Sequence, residues 1–200
     1  MKKRILSVLL VLCLVFTLLP IPASAAAATS GTCGSNLKWS FSNGTLTVSG
    51  TGAMYNYGDG SGRVTPWQND LIEKIVIGSG VTSIGNYAFE ECHQVRSVTI
   101  GKDVKSIGEG AFSTLYGGPD SITIPVSVTN IGVGAFDGWS LKTVNYGGTV
   151  NQWKAMGADE SSYFLSAAKI KCADGDILPH GICGAKLTWE IDDNGTLTIS

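Results

Sequence analysis

Ile75-Val76-Ile77-Gly78, followed by Val81, Ile84-Gly85 and Ala88-Phe89, decides the fold because it recurs. It returns as Val98-Thr99-Ile100-Gly101 with Val104, Ile107-Gly108 and Ala111-Phe112. It returns again as Ile122-Thr123-Ile124-Pro125 with Val128, Ile131-Gly132 and Ala135-Phe136. The starts at 75, 98 and 122 set periods of 23 and 24 residues, and a fourth start, Val144-Asn145-Tyr146, comes 22 residues later and then departs from the pattern. A fixed period of this length marks a repeat architecture.

Each unit alternates apolar and polar residues over its first positions, as a strand with one buried face does. The Ile, Ile-Gly and Ala-Phe positions then supply inward side chains for a returning segment. One such unit cannot bury its apolar set alone, so neighbours must stack and share a continuous core. The expected product is a solenoid of short parallel strands. Gly85, Gly108 and Gly132 recur at one place, which suggests a tight bend that only a residue without a side chain fits cheaply.

The pattern of a Val-x-Ile strand followed by Val-x-x-Ile-Gly-x-x-Ala-Phe resembles the BspA-like leucine-rich-repeat surface proteins of bacteria, in which Val and Ile often replace Leu. The resemblance runs from about Cys33 to Ile170 and begins again at Cys183. It implies a β-rich leucine-rich-repeat solenoid of the α/β horseshoe type, and a role in attachment to host proteins or other cells. One unit departs: Tyr116-Gly117-Gly118-Pro119 replaces the expected polar approach to the third strand, which puts the local loop in question.

A longer-range repeat flanks the solenoid. Cys33-Gly34-Ser35-Asn36-Leu37-Lys38-Trp39 reappears as Cys183-Gly184-Ala185-Lys186-Leu187-Thr188-Trp189, and both copies continue through Asn-Gly-Thr-Leu-Thr. Asn-Gly between alternating runs signals a hairpin, because both turn residues tolerate positive φ. Residues 33–70 are therefore expected to form an N-terminal β-hairpin cap with its loop, including a mobile stretch from Tyr57 to Gly62. The solenoid follows over 71–146. Thr149-Val150-Asn151-Gln152 reads as a capping box opening a short helix through Trp153 and Met156, closed by Gly157. That helix and the 163–170 segment make a C-terminal helical and strand cap over 147–173. Residues 174–182 read as a linker, and 183–200 as the start of a second cap module, as in a fragment or a larger protein that repeats the whole module.

The N-terminus carries an address. Lys2, Lys3 and Arg4 precede an apolar run from Ile5 to Leu19, then Pro20, Pro22 and the small-residue triplet Ala23-Ser24-Ala25. This is the pattern of a secretory signal peptide over residues 1–25, too short to anchor in a bilayer. Its removal leaves 11 basic against 16 acidic side chains. A surface of that sign does not seek nucleic acid or anionic lipid. With 44% hydrophobic and 15% charged residues, the chain is neither disordered nor collagen-like, and no other stretch is apolar enough to span a membrane.

Candidate chemistry is sparse. Cys33, Cys92, Cys172 and Cys183 remain after cleavage, in an exported chain that permits disulfides. Cys92 stands where other units place Leu115 and Trp139, so it reads as a buried apolar side chain; Cys172 and Cys183 flank the linker and form the tentative pair. No Cys-x-x-Cys or His cluster suggests a metal. Adjacent Cys92 and His93 do not face each other as nucleophile and base. No Gly-x-Ser-x-Gly turn or phosphate-binding loop is present, and the paired acids Glu90-Glu91 and Asp159-Glu160 read as solvated. Asp192-Asp193-Asn194 reads as a hairpin turn rather than a calcium loop, because Ser42-Asn43 in the first copy carries no acid. No catalytic residue, metal or cofactor is expected.

What remains is a surface. Residues either side of each inward strand position point outward, and stacking aligns them into columns: Lys74, Ser97, Ser121 and Thr143 in one, Val76, Thr99, Thr123 and Asn145 in the next. A third column, Glu73, Arg96, Asp120 and Lys142, alternates in sign. Such columns suit hydrogen bonding to an extended peptide or glycan. The expected function is a secreted or cell-surface bacterial binding or adhesion protein, non-catalytic, whose partner is a protein or glycan on a host or neighbouring cell. The alternative is a structural spacer presenting another domain beyond residue 200.

Overall fold

In the computed structural model, which describes residues 28–58, 63–67, 69–114, 117–157, 163–184 and 187–200, the alternating triplets become strands. The first three strands, β1 (Ser30–Gly34), β2 (Leu37–Ser42) and β3 (Thr45–Gly50), form an antiparallel unit, followed by the short β4 (Gly52–Ala53). The coils then contribute β5 (Lys74–Ile77) and β6 (Val81–Ile84), β7 (Ser97–Thr99) and β8 (Ser106–Ile107), β9 (Ser121–Ile124) and β10 (Asn130–Ile131), and finally β11 (Thr143–Tyr146). Helices α1 (Val150–Met156) and α2 (Tyr163–Ser166) lead to β12 (Lys169–Cys172) and β13 (Gly175–Ile177). A last unit holds β14 (His180–Gly184), β15 (Leu187–Ile191) and β16 (Leu197–Ile199). The signal peptide expected over residues 1–25 and the loop residues 59–62 lie outside the described residues. Among the described residues no helix is long and apolar enough to cross a membrane.

The fold is a β-solenoid of about four coils. Its first face is laid down in parallel: β3 pairs with β5 and β5 with β7, aligning Leu46, Ile75 and Val98. Beyond the departing loop, β9, β11 and β12 pair in parallel, aligning Ile122, Val144 and Ile170. The ladder is interrupted between β7 and β9, which lie side by side but in separate sheets. This is where the Tyr116-Gly117-Gly118-Pro119 departure falls. Gly117 and Gly118 there are left-handed (φ 110° and 81°), and Gly118 lies against the Trp139 ring. The second face is a parallel sheet ordered β4, β6, β8, β10.

Between the faces runs an aromatic stack. Trp67, Phe89, Phe112 and Phe136 lie in sequence, with centroids 5.3, 5.2 and 5.5 Å apart and planes within 19° of parallel. Trp67 thus fills the Phe position of an additional coil that the sequence pattern does not reveal. Trp39 meets it edge-on at 5.9 Å, and Trp139 tilts against Phe112 and Phe136. Stacked aromatics of this kind dominate the burial of each coil and add directional contact to it.

The recurring glycines act differently from the sequence expectation. Gly85, Gly108 and Gly132 are not among the left-handed residues. Each instead touches the backbone of the preceding coil: a Cβ on Gly85 would strike the Tyr55 carbonyl, one on Gly108 the Asn86 amide, and one on Gly132 the Glu109 amide. Close stacking of coils requires these glycines, not a bend. The left-handed position lies two residues later, at Tyr87, Gly110 and Gly134 (φ 53°, 55° and 64°).

The two hairpin copies share one plan. β1 on β2 and β14 on β15 have matching registers, Gly31 opposite Trp39 and Gly181 opposite Trp189, each with an irregularity at the same place. Their turns differ. Asn43 and Gly44 are both left-handed (φ 48° and 72°), forming a two-residue turn of the primed kind. The second copy has one more residue, and its loop closes through Asp192, whose carboxylate accepts the Asn194 and Thr196 amides, with Gly195 alone left-handed. Where a linker is expected over 174–182, Gly175–Ile177 instead folds back on β12 as β13, and β14 already begins at His180.

Candidate binding surface

The parallel register brings the outward side chains into rows. Thr45, Lys74 and Ser97 are successive register partners, as are Thr47, Val76 and Thr99. Past the interruption, Ser121, Thr143 and Lys169 form one row and Thr123, Asn145 and Lys171 the next. All are exposed or half-buried, because the strand alternation sends their neighbours Leu46, Ile75, Ile122, Val144 and Ile170 into the core. Adjacent parallel strands lie about 4.8 Å apart, a spacing that one extended chain can follow. The structure therefore aligns Lys74 with Ser97 and Val76 with Thr99 in one half, and Ser121 with Thr143 and Thr123 with Asn145 in the other. The two halves are not joined by a hydrogen-bonded ladder.

The rows also reach further than the sequence pattern indicates. β3 of the first hairpin adds Thr45 and Thr47, and β12 adds Lys169 and Lys171. Thr45-Leu46-Thr47-Val48 alternates like Lys74-Ile75-Val76-Ile77, but its Asn-Gly hairpin signature specifies only the antiparallel partner. In the charged column, the Arg96 amide donates to the Glu73 carbonyl and the Lys142 amide to the Asp120 carbonyl. The Lys142 Nζ donates to Asp120 Oδ2 at 2.8 Å on the exposed surface.

The opposite face carries a second polar set. Ser83, Ser106 and Asn130 are in register across β6, β8 and β10. Beside them the Asn86 amide donates to Asn56 Oδ1 at 3.0 Å and the Glu109 amide donates to Asn86 Oδ1 at 3.1 Å, tying three coils together. Tyr87 crosses to the next coil and donates to Glu109 Oε1 at 2.6 Å. A shallow groove of about 370 Å³ runs along this row. A wider cleft of about 510 Å³ separates α1 from the second hairpin unit, lined by Val150, Lys154, Asp176, His180, Trp189 and Glu190 among others.

The reactive side chains are placed for structure. Cys92 is buried, and loss of solvation pushes its thiol up to about 12, with the acidic Asp70 and Glu91 adding to the shift. Its neighbour His93 is held between the Thr114 hydroxyl (2.7 Å) and the Glu91 carboxylate (2.8 Å). Cys33 is buried and its thiol is raised to about 11 by desolvation. Cys172 is a free, half-buried thiol, and the side chain of Cys183, with which the sequence pairs it, lies outside the described residues. The two residues belong to strands of different sheets, with the β13 fold-back between them. Among the described residues, no cluster of His, Cys, Asp and Glu is arranged to hold a metal ion.

A family model for the BspA type leucine rich repeat region matches residues 67–156 in six copies. No curated protein sequence matches the chain significantly. Among solved structures, a leucine-rich repeat protein from Eubacterium ventriosum is similar at 25% identity with a TM-score of 0.50, over 86% of this chain and 49% of that one. A leucine-rich repeat protein from Bacteroides ovatus is 28% identical over 55% of this chain and 33% of that one, with a TM-score of 0.38. A leucine rich cell surface protein from Faecalibacterium prausnitzii is 14% identical over 85% of this chain and 60% of that one, with a TM-score of 0.32. The chain thus spans about half the length of the Eubacterium ventriosum protein.

Proposed function

We propose that the chain, whose residues 67–156 match the model of the BspA type leucine rich repeat region, is an exported binding or adhesion protein of a bacterial surface, recognising protein or glycan through the outward rows of its repeat strands. The observation that carries this reading is the register of hydroxyl, amide and lysine side chains on parallel strands. Lys74, Val76, Ser97 and Thr99 make one binding half, and Ser121, Thr123, Thr143 and Asn145 the other. Short hydroxyls at fixed spacing offer both donors and acceptors, which match the alternating groups of a peptide backbone or a sugar chain. The groups best suited to covalent chemistry, Cys92 and His93, are engaged in burial and in side-chain bonds, which favours binding over catalysis.

The test replaces Ser97, Thr99, Ser121 and Thr123 with arginine and measures retention of the protein on arrays of glycans and immobilised cell-surface proteins. Loss of retention with unchanged circular dichroism and unfolding midpoint supports recognition by these rows. Retention that survives all four changes favours a spacer that presents another domain. Export is tested separately, by finding the full chain outside the cytoplasm with its mature N-terminus beginning after Ala25.

A further inference from the structure

The two hairpin units are built alike but buried differently. In the first, β3 pairs with β2 so that Val48 faces Trp39 and Leu46 faces Phe41; in the second, β16 pairs with β15 so that Ile199 faces Trp189 and Leu197 faces Ile191. Leu46 and Val48 are both 0% exposed, whereas Leu197 and Ile199 are both 57% exposed. Trp39 is buried against Trp67, while Trp189 is only half-buried. The side chains, register and strand direction are equivalent, so the difference lies in what covers them. In the first unit the cover is a repeat coil, whose strand β5 adds in parallel to β3 with Ile75 beside Leu46 and Ile77 beside Val48.

We infer that the edge of β16 is a docking site for a further repeat coil of this chain's own type, which adds a parallel strand with an apolar residue beside Leu197 and another beside Ile199. β16 pairs only with β15 among the described residues, and its exposed Leu-Thr-Ile carries no charge or proline that would discourage strand addition. The turn between β15 and β16 is already tied to the first solenoid. Lys169 at the end of the first solenoid donates to Asp193 at 2.6 Å and reaches Asp176 at 3.1 Å, holding the second hairpin against the solenoid. The unit therefore acts as a joint, fixed to one solenoid and open to the first coil of another. The coil that fits carries the pattern of Lys74–Ile77 on its strand and an aromatic residue at the place of Trp67, to meet Trp189 as Trp67 meets Trp39. This inference is independent of what the outward rows bind.

The experiment appends a copy of residues 50–157 after Ser200, since Ser200 bonds Thr188 where Ser49 stands opposite Lys38, so that no linker is needed. Hydrogen exchange is followed at residues 197–199 and at the appended copy of Ile75–Ile77, beside the unextended chain. Docking slows exchange at 197–199 at least tenfold and protects the appended strand. Leu197→Asp with Ile199→Asp in the extended chain abolishes both effects while leaving residues 74–146 protected. An appended copy that stays unprotected overturns the inference. So does one that folds while 197–199 exchange as in the unextended chain. Protection of 197–199 in the unextended chain that grows with concentration and accompanies a dimer on sedimentation overturns it too, by assigning the edge to a second copy.

Discussion

Phe112 stacks on Phe136 with ring centroids 5.5 Å apart and planes only 5° from parallel, one step of a column that begins at Trp67. Both rings are buried and each is supplied by a different coil, so the column joins neighbouring coils. Replacing Phe112 with Ala removes contacts to Phe89, Phe136 and Trp139 at once. The expected loss is about 3–5 kcal/mol, the range for a large aromatic truncated in a packed core. Urea unfolding should show a correspondingly lower midpoint, and Phe112→Leu should recover much of it. A loss below about 1 kcal/mol would mean that the column is not a continuous core.

The close approach of coils at glycine makes a sharper contrast. A methyl group at Gly108 meets the Asn86 amide and the Gly85 carbonyl carbon, both backbone atoms that cannot swing aside. Gly108→Ala should therefore cost roughly 1–3 kcal/mol by forcing the coils apart. At Gly157 a Cβ meets nothing within 4 Å, and only the left-handed backbone (φ 60°) opposes it. Gly157→Ala should cost about 1 kcal/mol. Thermal or chemical unfolding of the two variants orders them, and equal effects would contradict the packing origin proposed for the repeated glycine.

How far the fold was legible follows from which forces act within one unit and which between units. The period of Ile75, Val98 and Ile122 reports burial, which every coil must satisfy, and it predicted the parallel stack. The break between β7 and β9 was visible as the Tyr116–Pro119 departure, but its effect on pairing depends on how Gly118 fits under Trp139. Trp67 replaces Phe and so falls outside the repeat pattern, and its role appears only when the ring stacks on Phe89. The outward rows were read from strand alternation alone; that β3 and β12 extend them depends on which strands become neighbours, a long-range outcome that no local pattern encodes.

The capping box of α1 is a local device whose effect can be isolated. The Thr149 hydroxyl accepts the Gln152 amide at 3.2 Å, and the Gln152 side chain accepts the Thr149 amide at 2.8 Å. The helix buries Trp153, which packs edge-on against Tyr146 of the last full coil at 5.4 Å. Thr149→Ala should cost about 1 kcal/mol, with Thr149→Ser close to wild type. Because Trp153 rides on this helix, its fluorescence should become more accessible to acrylamide in Thr149→Ala. Unchanged quenching with unchanged stability would show that tertiary packing alone holds the helix.

Alkaline pH should weaken the fold through its buried thiols. An unfolded cysteine titrates near 9.0, whereas burial pushes Cys92 up to about 12 and Cys33 to about 11. Between those values the unfolded chain has released protons that the native chain still holds. The native state is therefore favoured fully below pH 9, and that advantage is lost progressively as pH rises toward 12. Each thiol can change the slope by at most about 1.4 kcal/mol per pH unit, so the decline should be measurable by pH 10. Urea midpoints at pH 7, 8, 9 and 10 should fall only over the last step or two, and Cys92→Ala, though less stable at neutral pH, should show a shallower alkaline decline. Alkylation gives the matching kinetic result: at pH 8, Cys172 should react in the native protein, while Cys33 and Cys92 label only after unfolding. Rapid native labelling of Cys92 would show that the coil around Phe89 opens far more readily than its packing implies.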